Sequence, residues 1–293
     1  MTPPVITAGP EEVLKPTADG PAWEDSYPAG RRYRLGPLLG YGSEGAVRKA
    51  LDTHTGRTVA VKIFRTDAVH SGERFHREVS IHRRLNHWAI VPMTDYGRMP
   101  AAAGATEQAF MVMEYVEGRN LRHLLQKGPA DPAMTAAWMA SILHALSHVH
   151  RKGIVHNDIK PANILIPSLA NERRGAVAKL TDFGIATSRR HAPLASLSGT
   201  AHYMSPEEVH GAQATEASDI YALGLVALEC LTGVKPFPGT PVETMVARAL
   251  NKPRIPYTLG RRWIVLLQAM TDLRPAERPT ARQALRMLHR INR

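Results

Sequence analysis

Hydrophobic and polar positions follow different patterns in the two halves of the chain. Between Tyr33 and Phe64, short β-branched runs such as TVAVKIF alternate with turn clusters such as DTHTGR, which predicts β-strands. The apolar run AFMVMEYV (109–116) predicts a further buried strand. Beyond Gly118 the apolar spacing becomes helical. The changeover near residue 116 predicts two lobes, the first mainly β and the second mainly α, with a cleft between them.

Three helices stand out by the spacing of their apolar residues. Residues 71–86 predict a helix with a face formed by Phe75, Val79, His82 and Leu85. Residues 134–153 predict another that ends at Gly153, with a stripe formed by Met134, Trp138, Ile142, Leu146 and Val149. The stretch EASDIYALGLVALECLTG (216–233) is apolar nearly all round, which predicts a helix in the core.

The composition is that of a soluble globular protein, with 44% hydrophobic and 22% charged residues in 293. Cys230 is the single cysteine, so no internal disulfide can form, which fits a reducing compartment. No apolar run reaches the roughly 18 residues of a membrane span, and the N-terminus lacks a signal-peptide pattern. We therefore expect a cytoplasmic protein without a membrane span. Residues 1–30 contain six prolines and no apolar periodicity, which predicts a disordered tail.

The net charge of +11, with a pI near 10.0, fits either an acidic partner or a basic solvated surface. No nucleic-acid-binding motif accompanies the charge, and aromatic residues make up only 6% of the chain. The sequence therefore does not favour a nucleic-acid-binding protein.

The stretch GYGSEG consists of Gly40, Tyr41, Gly42, Ser43, Glu44 and Gly45. In a dinucleotide-binding fold it would open a helix, but here a strand-like stretch follows it. A P-loop is also excluded, since no Gly-Lys-Ser/Thr closes the motif. Two interpretations remain from the residues alone, a plain hairpin turn and a glycine-rich hairpin whose backbone approaches phosphates.

Further candidates combine charge with apolar strands. Lys62 alternates with Ala60 and Phe64, so it points inward and needs an anion, or it lies at a solvated edge. Glu78 on the next helix could supply that anion and hold Lys62 as a point charge for phosphate. In TDFG (181–184), Asp182 follows a short strand and could bind a hard cation, or it could simply form a turn.

Polar and charged groups crowd the stretch VHNDIKPANIL (155–165). Asp158 lies between His156 and Lys160, and Asn163 follows five residues after the Asp. Asn163 could give a second oxygen to a cation bound at Asp182.

Together these motifs resemble those of a eukaryotic-type (Hanks-type) serine/threonine protein kinase of the bacterial style. The matching series is a glycine-rich loop, VAVK, a helix Glu, H-x-D-x-K-x-x-N, DFG, GTAHYMSPEE and SDIYALG. Each motif alone is weak, whereas their order and spacing are specific. The resemblance implies an α+β, two-lobed kinase fold over residues 31–293, with an N-lobe of about 31–116 and a C-lobe of about 117–293.

The resemblance also implies roles in phosphoryl transfer from ATP. The loop from Gly40 to Gly45 would cover the phosphates, and Lys62, oriented by Glu78, would hold the α- and β-phosphates. The metal ligands would be Asp182 and Asn163, for Mg²⁺ with Mn²⁺ as an alternative. The catalytic loop would supply Asp158 as the base, Lys160 as the cation on the γ-phosphate and Thr200 as a bridge between them. Positioning and charge compensation would supply most of the rate.

Other matches concern the adenine and the substrate. The backbone from Glu114 to Val116 would bind the adenine, and Met113 would lie behind the adenine as the gatekeeper. The adenine ring would lie between the side chains of Val47, Ala60 and Leu165. Asp219 would hold the catalytic loop through backbone amides, and Glu207 would pair with Arg278. Lys160 favours serine or threonine of a protein as the acceptor, including residues of the chain itself.

Three positions depart from the family pattern. Asn157 stands where many kinases carry an arginine that meets a phosphate on the activation loop. His82 stands where a leucine usually packs beside Phe183, and we expect an uncharged core histidine there. The stretch 166–180 is longer than usual, and we expect a surface loop.

Three alternatives belong to other classes. A pseudokinase scaffold is disfavoured because every catalytic position is filled. A small-molecule kinase is disfavoured by GTAHYMSPEE, which resembles a peptide-acceptor platform. A nucleic-acid-binding module rests on charge alone. The sequence does not indicate the protein substrate or the activating signal.

Overall fold

The computed structural model describes residues 32–42, 45–65, 71–99, 107–168, 177–183 and 201–291, except the side chains of Ser71 and Arg74. The predicted tail 1–30 lies outside these residues. Within the described ranges, no helix combines the length and apolar character that crossing a membrane requires.

The first lobe is built on a five-stranded antiparallel sheet in the order β1-β2-β3-β5-β4. Its strands are β1 (Tyr33–Gly42), β2 (Gly45–Asp52), β3 (Arg57–Phe64), β4 (Met93–Met99) and β5 (Gln108–Glu114). Because side chains alternate along a strand, β3 sends Val59 and Val61 into one apolar cluster and Ala60 and Phe64 into another. Lys62 shares the parity of the second set, whose cluster also contains residues of the helix after β3.

That helix, α1 (Ser71–His82), ends four residues before the predicted limit at 86. After His82, Arg84 donates to Ile81 O and Leu85 donates to His82 O, so turn bonds replace the helical ladder. The predicted face is nevertheless buried, since the exposed fraction of Phe75, Val79, His82 and Leu85 is 8% or less. The turn lets Leu85 stay in the core while the chain reverses towards β4.

The second lobe begins with a three-stranded antiparallel sheet in the order β6-β7-β8. Its strands are β6 (Gly118–Asn120), β7 (Ile164–Pro167) and β8 (Lys179–Leu180). The prediction of a surface loop over 166–180 is therefore wrong at both ends, where backbone pairing forms β7 and β8. Residues 169–176 lie outside the described residues.

Helices make up most of the remaining lobe. They are α2 (Leu121–Leu125), α3 (Pro132–His150), α4 (Pro206–Val209), α5 (Glu216–Thr232), α6 (Pro241–Leu250), α7 (Arg261–Met270) and α8 (Ala281–His289). As predicted, α5 is a core helix, buried from Ser218 to Leu231. It packs against α3 and α7, and α3 packs against α8. The α+β, two-lobed architecture expected from the sequence is thus confirmed.

Candidate active site

The buried cation of the site comes from the middle of β3. Lys62 pairs across the sheet with Val47 and Met111, and its Nζ lies 2.8 Å from Glu78 Oε1 on α1. Both side chains are at most 5% exposed. Burying one charge without the other would be costly, so each fixes the position of its partner. The predicted pair is confirmed, and Lys62 Nζ also lies 3.5 Å from Asp182 Oδ1.

Asp219, near the N-terminus of α5, organises the loop that contains Asp158. Its carboxylate accepts the backbone N–H of His156 at 2.9 Å and that of Asn157 at 2.8 Å, as the resemblance to protein kinases implied. His150 Nε2, at the end of α3, lies 2.9 Å from the same carboxylate. This third contact, which no motif predicts, connects the loop to a second core helix.

The backbone at Asn157 is left-handed, with φ of 64°. Among residues other than glycine, asparagine adopts this region comparatively readily, because its short polar side chain can hydrogen-bond locally. The left-handed backbone therefore gives a physical reason for asparagine at position 157, where many kinases carry an arginine.

The side chains of the catalytic loop converge on Asp158. Lys160 Nζ donates to Asp158 Oδ2 at 2.8 Å, and Asn163 Nδ2 donates to the same oxygen at 2.9 Å. Asn163 Nδ2 also lies 2.9 Å from the backbone O of Asp158, which locks the amide orientation. With its nitrogen committed in this way, Asn163 presents its oxygen as the atom suited to a hard cation.

Asp182 and Phe183 follow β8 at the junction of the two lobes. Asp182 has φ of 53°, and its side chain is one-third exposed. Phe183 is buried between two imidazoles, edge-on to His82 at 5.2 Å and 4.6 Å from His156, measured between ring centroids. Burial lowers the pKa of His82 to about 4 and also lowers the pKa of His156. The expected position of His82 in the core beside Phe183 is confirmed, and the lowered pKa of its ring favours the uncharged form.

No group of three or more His, Cys, Asp or Glu side chains in the described ranges could hold a metal ion by itself. Asp182 and Asn163 offer one carboxylate and one amide oxygen. This donor set fits a hard cation that completes its shell with phosphate oxygens and water.

The glycine-rich stretch forms the end of the β1–β2 hairpin. Gly40 pairs with Val47, Tyr41 with Ala46, and Gly42 with Gly45, while Ser43 and Glu44 lie outside the described residues. A Cβ at Gly45 would lie 1.9 Å from Ile63 O, so a side chain cannot fit at that position. The hairpin that both interpretations share is confirmed. Contact between its backbone and phosphates stays a prediction.

The residues predicted to surround the adenine pack in one apolar cluster. Its relevant members are Val47, Ala60, Met113, Val116 and Leu165. Ala60 and Met113 are buried and paired across β3 and β5, whereas the other three are partly exposed. The cluster joins residues from both sides of the changeover at 116, as an apolar site between lobes requires.

Glu114 lies at the end of β5, where the chain passes to the second lobe. Its backbone N–H donates to Pro92 O at 3.0 Å, and its side chain lies 2.8 Å from Lys179 Nζ on β8. Glu114 is thus held by Pro92 of the first lobe and by Lys179 of the second lobe, which fixes the connection between the lobes.

The segment after the site is held by one buried ion pair and by hydrogen bonds. Arg278 donates two bonds, of 2.7 and 2.8 Å, to Glu207, and its side chain is fully buried, so this predicted pair is confirmed. Two further anchors were missed. Arg248 on α6 donates to the backbone O of Ala201 and of His202. Tyr203 donates to Glu229 Oε2 at 2.5 Å. No motif spacing could have signalled either anchor. Thr200 lies outside the described residues.

The arrangement brings a buried, clamped cation, two oxygen donors for a metal and a carboxylate with a neighbouring ammonium to one cleft. Such a set can position a polyphosphate and accept a proton from a nucleophile beside it.

The family model for the protein kinase domain matches residues 33–289. The serine/threonine-protein kinase PrkC of Bacillus subtilis is 38% identical over 239 residues, covering 79% of this chain and 35% of that protein. The serine/threonine-protein kinase PknB of Mycobacterium tuberculosis is 38% identical over 234 residues, covering 77% and 36%. The chain thus spans about a third of the length of these relatives.

Proposed function

The chain belongs to the protein kinase family, and on that premise we propose that it transfers the γ-phosphoryl group of ATP to serine and threonine hydroxyls of proteins. The observation that carries the proposal is that the Lys62–Glu78 pair contacts Asp182, whose neighbour Thr181 donates its backbone N–H to Asn163 O at 3.0 Å. This bond places the Asp158–Lys160–Asn163 group beside Asp182. The names of the similar bacterial kinases support serine and threonine as acceptors. Autophosphorylation is part of the proposal.

We propose that Lys62 positions the α- and β-phosphates, held at its depth in the cleft by Glu78. The apolar cluster around Ala60 and Met113 would exclude water from the adenine. The hairpin from Gly40 to Gly45 would cover the phosphates with backbone rather than side chains. These contacts fix the reacting group without covalent chemistry, as phosphoryl transfer requires.

Asp182 and Asn163 would hold the divalent cation, which when bound neutralises charge on the phosphates. Protein kinases use a divalent metal, and we propose Mg²⁺ because a carboxylate and an amide oxygen leave room for phosphate and water ligands. Mn²⁺ prefers similar oxygen ligands and is the alternative. Rates measured against each cation in chelator-buffered solution would separate the two.

Asp158 would accept the proton of the substrate hydroxyl as that oxygen attacks the phosphorus. Lys160, whose Nζ lies 2.8 Å from Asp158 Oδ2, would stabilise charge on the transferring group. Thr200 would bridge these two side chains. The segment from Ala201 to Met204, anchored by Arg248 and Glu229, would support the acceptor peptide.

A γ-labelled ATP assay tests the proposal with three acceptor classes: generic proteins, small alcohols and the chain itself. Label on serine or threonine of the proteins supports the proposal. Label on small alcohols alone would point to a small-molecule kinase, and ATP binding without transfer would point to a scaffold. The cytoplasmic location and the domain limits 31–293 stay predictions.

A further inference from the structure

Three segments meet to form a histidine-rich surface away from the motifs described above: the turn after α1, the second half of α3 and the end of α8. The rings of His87 and His148 are 5.2 Å apart, and those of Trp88 and His144 are 5.8 Å apart. Arg84 donates to Lys152 O at 3.0 Å and so joins the turn to the end of α3. We call this the histidine surface, and it comprises Arg84, His87, Trp88, His144, His148, Arg151, Lys152 and His289.

The histidine surface is cationic, and the segments that build it contain no compensating carboxylate. Stretches 83–94, 132–153 and 278–293 have no Asp or Glu. Arg84, Arg151 and Lys152 are exposed. Every charged neighbour that perturbs the histidines is itself basic.

The charge environment of the rings follows from these neighbours. Burial, followed by His148, His144 and Arg151, lowers the pKa of His87 to about 4. Burial with His289 lowers the pKa of His144, and burial with Lys152 and Arg151 lowers that of His148. The permanent attraction at neutral pH therefore comes from the arginines and the lysine. Trp88 adds an aromatic side chain that is half exposed, at 51%.

One segment of the chain has the opposite charge. Residues 11–25, EEVLKPTADGPAWED, carry five carboxylates, namely Glu11, Glu12, Asp19, Glu24 and Asp25. Lys15 is the single cation in that stretch, although the whole chain has a net charge of +11. We call residues 11–25 the acidic segment.

The described structure begins at Arg32, and side-chain contacts connect that residue to the neighbourhood of the histidine surface. Arg32, just before β1, has its Nη1 3.0 Å from Asp95 Oδ2 on β4. The next residue, Tyr96, accepts a hydrogen bond of 3.5 Å from Arg83, which adjoins Arg84. Asp25 precedes Arg32 by seven residues, which span up to about 25 Å when extended at roughly 3.5 Å per residue. The linker thus gives the nearest carboxylate of the acidic segment a reach of about 25 Å from Arg32.

We propose that the acidic segment docks on the histidine surface of the same molecule. Its carboxylates pair with Arg84, Arg151 and Lys152, and Trp88 gives the segment an apolar contact. Individual exposed ion pairs are weak, but several act together, and the covalent tether keeps the local concentration of the segment high. Docking connects the turn after α1 to α3 of the second lobe. Glu78 and His82 belong to α1, so docking acts next to the helix that carries them. This inference is independent of the proposed function.

Zero-length carbodiimide cross-linking of the full chain tests the proposal, since it joins a carboxylate to an amine only at direct contact. Lys152 is the one lysine of the histidine surface. We expect cross-links from the acidic segment to concentrate on Lys152, and their yield to fall at least tenfold in 1 M NaCl because salt screens exposed charges. Links spread evenly over exposed lysines such as Lys127 and Lys252 would overturn the proposal.

Charge reversal supplies the specificity control. Arg84→Glu/Arg151→Glu keeps Lys152 as the reporter and should reduce its cross-links at least tenfold, whereas Arg261→Glu/Arg262→Glu, on exposed residues at the start of α7, should not. Adding Glu24→Lys/Asp25→Lys to the first variant should restore cross-links with the polarity reversed. Unchanged yields in the first variant would contradict docking. The salt series on the unmodified chain keeps the test valid if that variant does not fold.

A mixture of isotopically heavy and light chains separates the possible occupants. Docking within one molecule gives only heavy–heavy and light–light peptide pairs. Mixed pairs would overturn the proposal in favour of a second copy of the chain. Loss of the Lys152 cross-links on adding a large excess of short polyglutamate would support a site for acidic peptides.

Discussion

Lys62 and Glu78 form an ion pair of 2.8 Å between side chains that are 5% and 4% exposed. The strand register of β3 turns Lys62 towards α1, and the helix spacing turns Glu78 towards the sheet. Because neither charge can be solvated, the pair fixes the distance between helix and sheet. The pair also places the ammonium group of Lys62 at 3.5 Å from Asp182 Oδ1.

Replacing Lys62 removes this cation while leaving an apolar side chain of similar length. Lys62→Met is expected to lower phosphoryl transfer at least about 100-fold, since electrostatic clamps typically contribute that much or more. Some nucleotide binding should remain, because the apolar cluster around Ala60 is intact. Initial rates with γ-labelled ATP measure the change, and Lys127→Met, on an exposed lysine, is the control. A rate near that of the unmodified chain, after exclusion of contaminating kinases, would refute the assigned role of Lys62.

The second prediction concerns the pH dependence of stability at His82. Burial lowers its folded-state pKa to about 4, against an ordinary value of 6.5, so the unfolded chain binds the proton more readily. Stability is therefore lost as pH falls from about 6.5 towards 4. His82→Leu removes this loss, and its advantage over the unmodified chain should grow to about 2 kcal/mol at pH 5.

Thermal melts and initial rates at pH 7.5 and pH 5 measure the His82→Leu variant. At pH 7.5 the substitution should be tolerated or stabilising, because leucine packs against Phe183 as the neutral ring does. His76→Leu, on the exposed side of α1, is the matched control. The difference in stability between this variant and the unmodified chain should not grow as the pH falls. A large fall in both melting temperature and rate at pH 7.5 would contradict the apolar role of His82.

The third prediction concerns the buried pair of Glu207 and Arg278. Arg278→Met leaves Glu207 without its bidentate partner, and breaking such a pair typically costs about 3 kcal/mol or more. Urea unfolding measures the loss. Arg274→Met is the matched control, since Arg274 is 76% exposed and surface pairs contribute under about 1 kcal/mol. Equal losses in the two variants would show that the burial of the pair has no special energetic role.

The sequence predicted features that follow from local periodicity or motif order. The strand parity of Lys62, the buried face of α1 and the core character of α5 all follow from spacing, and all three are confirmed. The end of α1 was misplaced because turn bonding at Arg84 and Leu85 depends on where β4 lies in space.

Contacts between segments remote in the chain could not be predicted without a fold. His150 reaches Asp219 across 69 residues, and Arg248 reaches the backbone of Ala201 across 47. His150 and Arg248 belong to none of the motifs described above. The left-handed backbone at Asn157 was equally hidden, since the N–H of that residue donates to Asp219, 62 residues further along the chain.

The fourth prediction concerns control by phosphorylation. Kinases with an arginine at the position of Asn157 often carry a second basic residue five after the DFG aspartate, where this chain has Thr187. With both positions uncharged, a phosphate of about −1.5 to −2 charge has Arg74, at the start of the helix of Glu78, as the one basic residue in a matching place. We expect activity to depend only weakly on phosphorylation of Ser196 and Ser198. These two serines, Thr187 and the Arg74 side chain lie outside the described residues.

Phosphatase-treated protein and the double variant Ser196→Ala/Ser198→Ala, assayed on a substrate in trans, test this independence. Thr200 is left unchanged, because it is expected to touch Asp158. Initial rates within a few-fold of the untreated chain are expected. A fall of tenfold, equivalent to about 1.4 kcal/mol of transition-state stabilisation, would show that another group replaces the missing arginine.

The most direct test of the central claim compares the unmodified chain with Asp158→Ala for label transfer from γ-labelled ATP to a generic protein, followed by phosphoamino-acid analysis. The account predicts label on serine and threonine with the unmodified chain, and a loss of at least about 100-fold in the variant, since a positioned base typically contributes that much. ATP binding should persist in the variant, which separates lost catalysis from lost folding. Transfer by Asp158→Ala at the unmodified rate, or no transfer to protein by the unmodified chain under any cation tested, would contradict the assignment.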